Sequence, residues 1–185
     1  MLDNGAHIHT YALFESASSG HLDVVKYLAE YGADIHVDND CALQISVLQG
    51  HFDVVQYLVS IGADIYANNN RALKSSVENG HLDIVKFLVQ NNADIHADNN
   101  YAIQMSAKYG HIEVVKYLVS LGADIYTDNN YALQWSAENG HLDVVKYLVN
   151  SGANINMITD RGLQIIIENG HTEIIKYLEN PTIFF

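Results

Sequence analysis

The chain has 185 residues, with 9 Lys and Arg against 22 Asp and Glu, and so carries a formal charge of −13 with histidine neutral. A field of that sign repels phosphate and attracts basic surfaces, which excludes nucleic acid as a natural ligand. No apolar run approaches the roughly 18 uncharged positions of a membrane span, and the opening Met1-Leu2-Asp3-Asn4-Gly5-Ala6-His7 carries an acid where a signal peptide carries a basic and then an apolar region. These features describe a cytosolic protein whose only cysteine, Cys41, excludes an internal disulfide and any multi-thiolate metal site and reads as a small apolar residue.

Residues 1 to 10 read as the tail of a repeat unit. Leu2 to Gly5 has the pattern of a last helical turn and its stop, and Gly5-Ala6-His7-Ile8 parallels Gly62-Ala63-Asp64-Ile65, which predicts a loop there. That loop is clipped, because Gly5 to Leu13 is three positions shorter than Gly32 to Leu43. A period of about 30 positions then governs the chain, with Gly-His at Gly20-His21, Gly50-His51, Gly80-His81, Gly110-His111, Gly140-His141 and Gly170-His171. Full units start at Tyr11, Cys41, Arg71, Tyr101 and Tyr131, and a shortened sixth runs over 161–185, so that 1–185 forms a single repeat domain.

Within a unit the pattern predicts a short first helix, Ala132 to Glu138 in the fifth copy, and a glycine cap at Gly140, since glycine enters the left-handed region without steric cost. A second helix from His141 to about Asn150 places Leu142, Val145 and Leu148 on one stripe and Asp143, Lys146 and Asn150 on the wet face, with Asp143 and Lys146 spaced for an ion pair. Gly32, Gly62, Gly122 and Gly152 stop this helix, and Asn92 substitutes in the third copy because asparagine also tolerates left-handed backbone. The connections Val37-Asp38-Asn39-Asp40, Ala67-Asn68-Asn69-Asn70, Ala97-Asp98-Asn99-Asn100 and Thr127-Asp128-Asn129-Asn130 are Asx-rich tight turns.

Helices this short persist only when packed against neighbours. The first helices accordingly carry small residues, Ser16-Ala17, Ser46-Val47, Ser76-Val77, Ser106-Ala107 and Ser136-Ala137, where units approach one another. Ile165-Ile166-Ile167 and the closing Pro181-Thr182-Ile183-Phe184-Phe185 break that rule, and mark a terminal unit whose added apolar volume covers the open end.

Gly-His-Leu-Asp-Val-Val-Lys-Tyr-Leu-Val-x-x-Gly-Ala-Asp-Ile, seen over 140–155 with Asn154 in place of the aspartate, resembles the second half of the ankyrin repeat, and Ala-Leu-Gln-x-Ser-Ala over 132–137 is similar to its Thr-Pro-Leu-His-x-Ala-Ala segment. The resemblance covers essentially all 185 residues in six copies, and tetratricopeptide helix pairs fit worse because both helices are too short. It implies an all-α, ankyrin-type solenoid of stacked helix-turn-helix units. The family finger has lost three residues and its glycine is replaced by Asn39, Asn69, Asn99 and Asn129, so short loops stand in place of the usual hairpin fingers. The family's threonine-to-histidine hydrogen bond cannot form; Gln44, Gln104, Gln134 and Gln164 are the candidate substitutes. Shortened units of this kind look similar to those of large DNA viruses of amoebae.

The repeated histidines do not form a metal ladder. Equivalent residues of stacked helices lie roughly 8 to 10 Å apart, whereas zinc ligands sit about 2.0 to 2.1 Å from the ion. Loops such as Asp34 to Asp40 lack the central glycine and terminal glutamate of a calcium loop. His-x-Asp/Glu without a Cys-x-x-Cys does not make a zinc deaminase, and no phosphate loop, Gly-x-Ser-x-Gly elbow or His-Glu-x-x-His is present. The reading is non-enzymatic, with no cofactor and no metal.

More informative are positions that vary while the frame holds. By resemblance, the loops and first helices line the concave surface of the solenoid and face a partner. There Tyr66, Arg71, Tyr101, Met105, Lys108, Tyr109, Tyr126, Tyr131 and Trp135 gather the aromatic, Met and basic residues that anchor interfaces. Against this, Met105, Trp135 and Ile45 also suit gaps between first helices, and Tyr27, Tyr57, Phe87, Tyr117, Tyr147 and Tyr177 on the second helices are framework. The expected function is a scaffold or adaptor that binds a protein with a basic surface and no membrane, as a monomer. The alternative is structural self-association, with solenoids stacking end to end through exposed terminal repeats.

Overall fold

The computed structural model describes residues 4–180, apart from the side chains of 4–9 and 127–129. The expectation placed on Pro181 to Phe185 lies outside the described residues. Twelve α-helices and one 3-10 turn make up the described chain, without a strand. None of these helices is long and apolar enough to cross a membrane.

The chain divides into two compact units, Met1–Ala93 and Asp94–Phe185. In the first, α1 (Asn4–Ser18), α3 (Val37–Gln49) and α5 (Ala67–Glu78) pack side by side in one row, and α2 (Leu22–Glu30), α4 (Phe52–Ser60) and α6 (Leu82–Gln90) form a second row against them. The second unit repeats the plan with α7 (Ala97–Lys108), α9 (Thr127–Glu138) and α11 (Asp160–Glu168) in one row, and α8 (Ile112–Ser120), α10 (Leu142–Asn150) and α12 (Thr172–Glu179) in the other. Helix pairs joined by tight turns and stacked without strands are the all-helical architecture that the periodicity predicts.

At the N-terminus the structure differs from expectation. Residues 5–8 are not a loop; α1 runs through them as one helix of 15 residues. The three positions missing before Tyr11 are those that hold the Asx triplet in every full connection, so nothing turns the backbone out of the helix.

Those triplets do more than form a tight turn. Asp38, Asn39 and Asp40 have φ of 50°, 58° and 58°, Asn68 to Asn70 have 53° to 59°, and Asp98 to Asn100 have 50° to 63°. Each of these three connections is therefore one turn of left-handed backbone, closed by hydrogen bonds such as Asn70 N–H to the Tyr66 carbonyl at 3.1 Å. Left-handed residues cost an ordinary side chain roughly 1 to 2 kcal/mol each, and Asn and Asp escape much of that by local hydrogen bonding. Upstream, Asp34, Asp64, Asp94 and Asp124 accept the N–H two residues on at 2.8 to 2.9 Å. The last connection has no triplet. There Thr159 is extended and caps α11 by accepting from Gly162 N–H at 3.1 Å.

The turn between the two helices of a pair closes as a Schellman motif. His51 N–H reaches the Ser46 carbonyl at 2.9 Å and Gly50 N–H reaches Val47 at 3.2 Å, with Gly50 left-handed at φ 79°. The serines expected at close approach are buried, and Ser46, Ser76, Ser106 and Ser136 satisfy their hydroxyls by donating to the carbonyl three residues back. Asn92 is left-handed at φ 70°, in step with Gly62, Gly122 and Gly152.

Within each compact unit, histidine gives a helix pair its grip on the one before it. His51 Nε2 donates to the Ser18 carbonyl at 2.9 Å and His81 to Leu48 at 3.2 Å; in the second unit His141 donates to Lys108 at 2.9 Å and His171 to Glu138 at 3.1 Å. Because a carbonyl only accepts, Nε2 carries the proton. Each acceptor lies at the C-terminal end of the preceding first helix, where carbonyls lack intrahelical partners. The ring covers that helix's terminal glycine so closely that a methyl group on Gly50 would lie 2.6 Å from His81 Cε1. The partner is thus the backbone and not the expected glutamines: Gln104 donates to the Asn99 carbonyl, Gln134 to Glu138 and Gln164 to Glu168, while the Gln44 amide is buried with no partner.

One further expectation is corrected. Ion pairs three residues apart form at Glu113–Lys116, 2.8 Å, and Glu173–Lys176, 2.7 Å, whereas the shorter Asp143 side chain accepts its own neighbour's N–H and Lys146 lies 5.7 Å over the Tyr177 ring. In the terminal unit Ile166 is buried, but Ile167 is 61 % and Leu163 39 % exposed. Among the described residues this apolar volume points outward, because those positions face the place where a following repeat would stack.

Candidate protein-interaction surface

In the second unit, steps of four residues along α7 put Tyr101, Met105 and the cap residue Tyr109 on one stripe, and the same step on α9 aligns Tyr131 with Trp135. The Tyr131 and Trp135 rings stack with centroids 4.8 Å apart and planes 8° from parallel. Lys108 Nζ lies 5.6 Å from the Trp135 ring and 5.4 Å from the Tyr109 ring. Two adjacent first helices thereby present a continuous run, Tyr109–Lys108–Trp135–Tyr131, in which an ammonium group is held between two π faces. Tyr131 and Trp135 are half-buried and Tyr109 is exposed, so the run keeps one side open to solvent. Met105 is buried at 8 % exposure and so belongs to the core and not to the open side of this run.

Two other candidates sit differently. Tyr66 and Tyr126 are exposed, on the connections, and each leans toward the end of the next second helix: Tyr66 Oη donates to the Asn92 carbonyl at 3.1 Å, and a methyl group on Gly152 would lie 2.7 Å from Tyr126 Oη. Their rings brace neighbouring repeats as well as facing water. Histidine in the same column stays within its own loop, His36 bonding Asp40 and His96 bonding Asn100, both at 2.9 Å.

Arg71 belongs to the first unit. It is exposed, and its Nε donates to Ser75 Oγ at 3.2 Å. With Phe14, Cys41, Gln44 and Ile45 it lines an open cavity of about 310 Å³ along the first helices. Burial, and then the Asp38 carboxylate, push the Cys41 thiol above its ordinary pKa, so it is a poor nucleophile at neutral pH. The cavity was half visible in the sequence, since Cys41, Ile45 and Arg71 fall in the variable columns; Phe14 and Gln44 carry no such signal.

Charge is unevenly placed. The four connections 31–40, 61–70, 91–100 and 121–130 contain eight Asp and no Lys or Arg, whereas five of the six second helices set a lysine three residues after their first-turn acid. The negative field is therefore strongest along the loops. Among the described residues no group of three His, Cys, Asp or Glu side chains is placed to hold a metal ion.

Comparison with known proteins agrees with this geometry. A search of curated proteins finds no match for the chain. The family model for Ankyrin repeats (3 copies) matches residues 1–69 and again 73–159. With most of its length covered by that model and its helix pairs stacked without strands, the chain belongs to the ankyrin repeat family, whose repeats generally mediate protein–protein interaction.

Proposed function

We propose that the chain is a non-catalytic scaffold or adaptor that binds a protein partner through its first helices and connections, the concave side in this family. The observation that carries this reading is the Tyr109–Lys108–Trp135–Tyr131 run. Rigid stacked aromatics lose little conformational entropy on binding, and a lysine held between them offers a carboxylate or carbonyl of the partner a placed donor. Tyr101 flanks the run, and Tyr66, Arg71 and Tyr126 extend the contact toward the loops. The eight loop aspartates support a partner with a basic surface, steered by the field and anchored by the rings. The short units fit an origin among large DNA viruses of amoebae, with the host-cell cytoplasm as the place of action.

Affinity capture from a eukaryotic lysate tests the surface when the native chain is compared with a folded Tyr101, Tyr131 and Trp135 triple substitution. A protein retained by the native chain and lost by the variant supports the reading; identical captures refute it. Stability separates the faces. Trp135→Ala weakens partner binding with little change in melting temperature, whereas Leu148→Ala, at a site with no exposure, lowers folding stability by about 2 to 5 kcal/mol. Equal stability losses would contradict the assignment.

A further inference from the structure

The histidine contact has an unused half at each end of the described chain. His21 stands in the column of His51, His81, His141 and His171, yet it is exposed and its ring makes no hydrogen bond among the described residues. At the other end Gly170 is left-handed at φ 74° with open space where a side chain would begin, while Gly20, Gly50, Gly110 and Gly140 are each covered by the next histidine ring. The carbonyl of Glu168, equivalent to those of Ser18, Leu48, Lys108 and Glu138, receives no histidine among the described residues.

Apolar positions tell the same story. Ala17, Val47, Val77, Ala107 and Ala137 have no exposure, and their counterpart Ile167 has 61 %. Val54, Ile84, Val114, Val144 and Ile174 are at most 2 % exposed, and their counterpart Val24 has 46 %. Among the described residues, one face thus lacks a donor ring and an apolar cover, and the other offers both.

We propose that these two faces form one interface between copies of this chain, arranged head to tail. The His21 ring of one copy sits over Gly170 of the next and donates to the Glu168 carbonyl, while its α1–α2 face, with Val24, covers Leu163 and Ile167. The contact repeats between molecules what α3–α4 make with α1–α2 inside one. Its occupant is a second copy because the groups missing on one face are those presented by the other, in the register of the internal repeat. The two faces differ, so the interface is heterologous: it adds copies head to tail and does not make a two-fold dimer. The end faces do not include the aromatic run, so neither proposal depends on the other.

Sedimentation velocity across a concentration series tests the proposal on the full chain, on His21→Ala, on Ile167→Glu and on an equimolar mixture of the two variants. Both substitutions are at exposed positions, and unchanged far-ultraviolet dichroism and melting verify folding. The native chain should gain mass with concentration beyond the dimer. His21→Ala should lower the association constant about tenfold, the worth of one hydrogen bond and its packing, and Ile167→Glu should leave monomer. The mixture pairs an intact head with an intact tail and should be heavier at a given concentration than either variant alone. A native chain monomeric at every concentration, association unaltered in both variants, or a mixture no heavier than its components would overturn the proposal.

Discussion

Asn69 shows how much of this fold is decided by single backbone angles. Its side chain is exposed, and its φ of 59° is the middle of three successive left-handed residues. No contact requires asparagine there; the conformation does. Asn69→Ala is therefore expected to cost about 1 to 2 kcal/mol in urea denaturation, and Asn69→Gly to cost little or to stabilise. An alanine variant as stable as the native chain would show that the turn relaxes to right-handed backbone. The sequence announces these turns by their composition, Asp-Asn-Asp or Asn-Asn-Asn, but not their hand, because Asx residues also form ordinary turns with their side chains. The difference between Asp143 and Glu113 is of the same scale. One methylene decides whether the carboxylate reaches the lysine or folds back on its own helix.

At the scale of the helix pair, glycine has two separable duties. Gly32 and Gly50 are both left-handed, at φ 89° and 79°, but only Gly50 lies beneath a histidine ring; around Gly32 the space is open. Gly32→Ala should therefore cost about 1 to 2 kcal/mol of conformational strain alone, and Gly50→Ala more, because the His81 ring must also leave its carbonyl. Thermal melts of the two variants and of Gly50→Ala with His81→Ala check this: the double substitution should cost less than the sum of its parts. The glycine and its histidine were legible as a repeating pair, as were the ends of the second helices, the apolar stripes and the role of Asn92, but not the start of α1. The acceptor was not. Every residue owns a carbonyl, so nothing in the sequence marks those of Ser18 or Leu48, whereas Gln44 and Gln104 look like partners because a side-chain amide both donates and accepts. The aromatic run was legible as a list of residues, but their grouping depends on which first helices lie side by side, and Met105 falls on the inward side of the same stripe.

For the whole molecule, the placement of charge and apolar surface separates two kinds of encounter. Acidic connections and stacked rings suit a foreign protein; Val24 on the first helix pair, and Leu163 and Ile167 on the last described one, suit another helix pair of the same make. Raised salt should weaken the first through screening and leave the second largely intact, since its contacts are apolar and short-range. The reach of the histidine carries a last consequence. In His51, His81, His141 and His171 the ring bonds the carbonyl 33 positions behind it and nothing farther. A gene duplication that inserts one whole period moves donor and acceptor together and leaves every such bond with a partner of the right kind. The fold is closed under copying, and its length is open to revision by unequal recombination without a new core having to be invented.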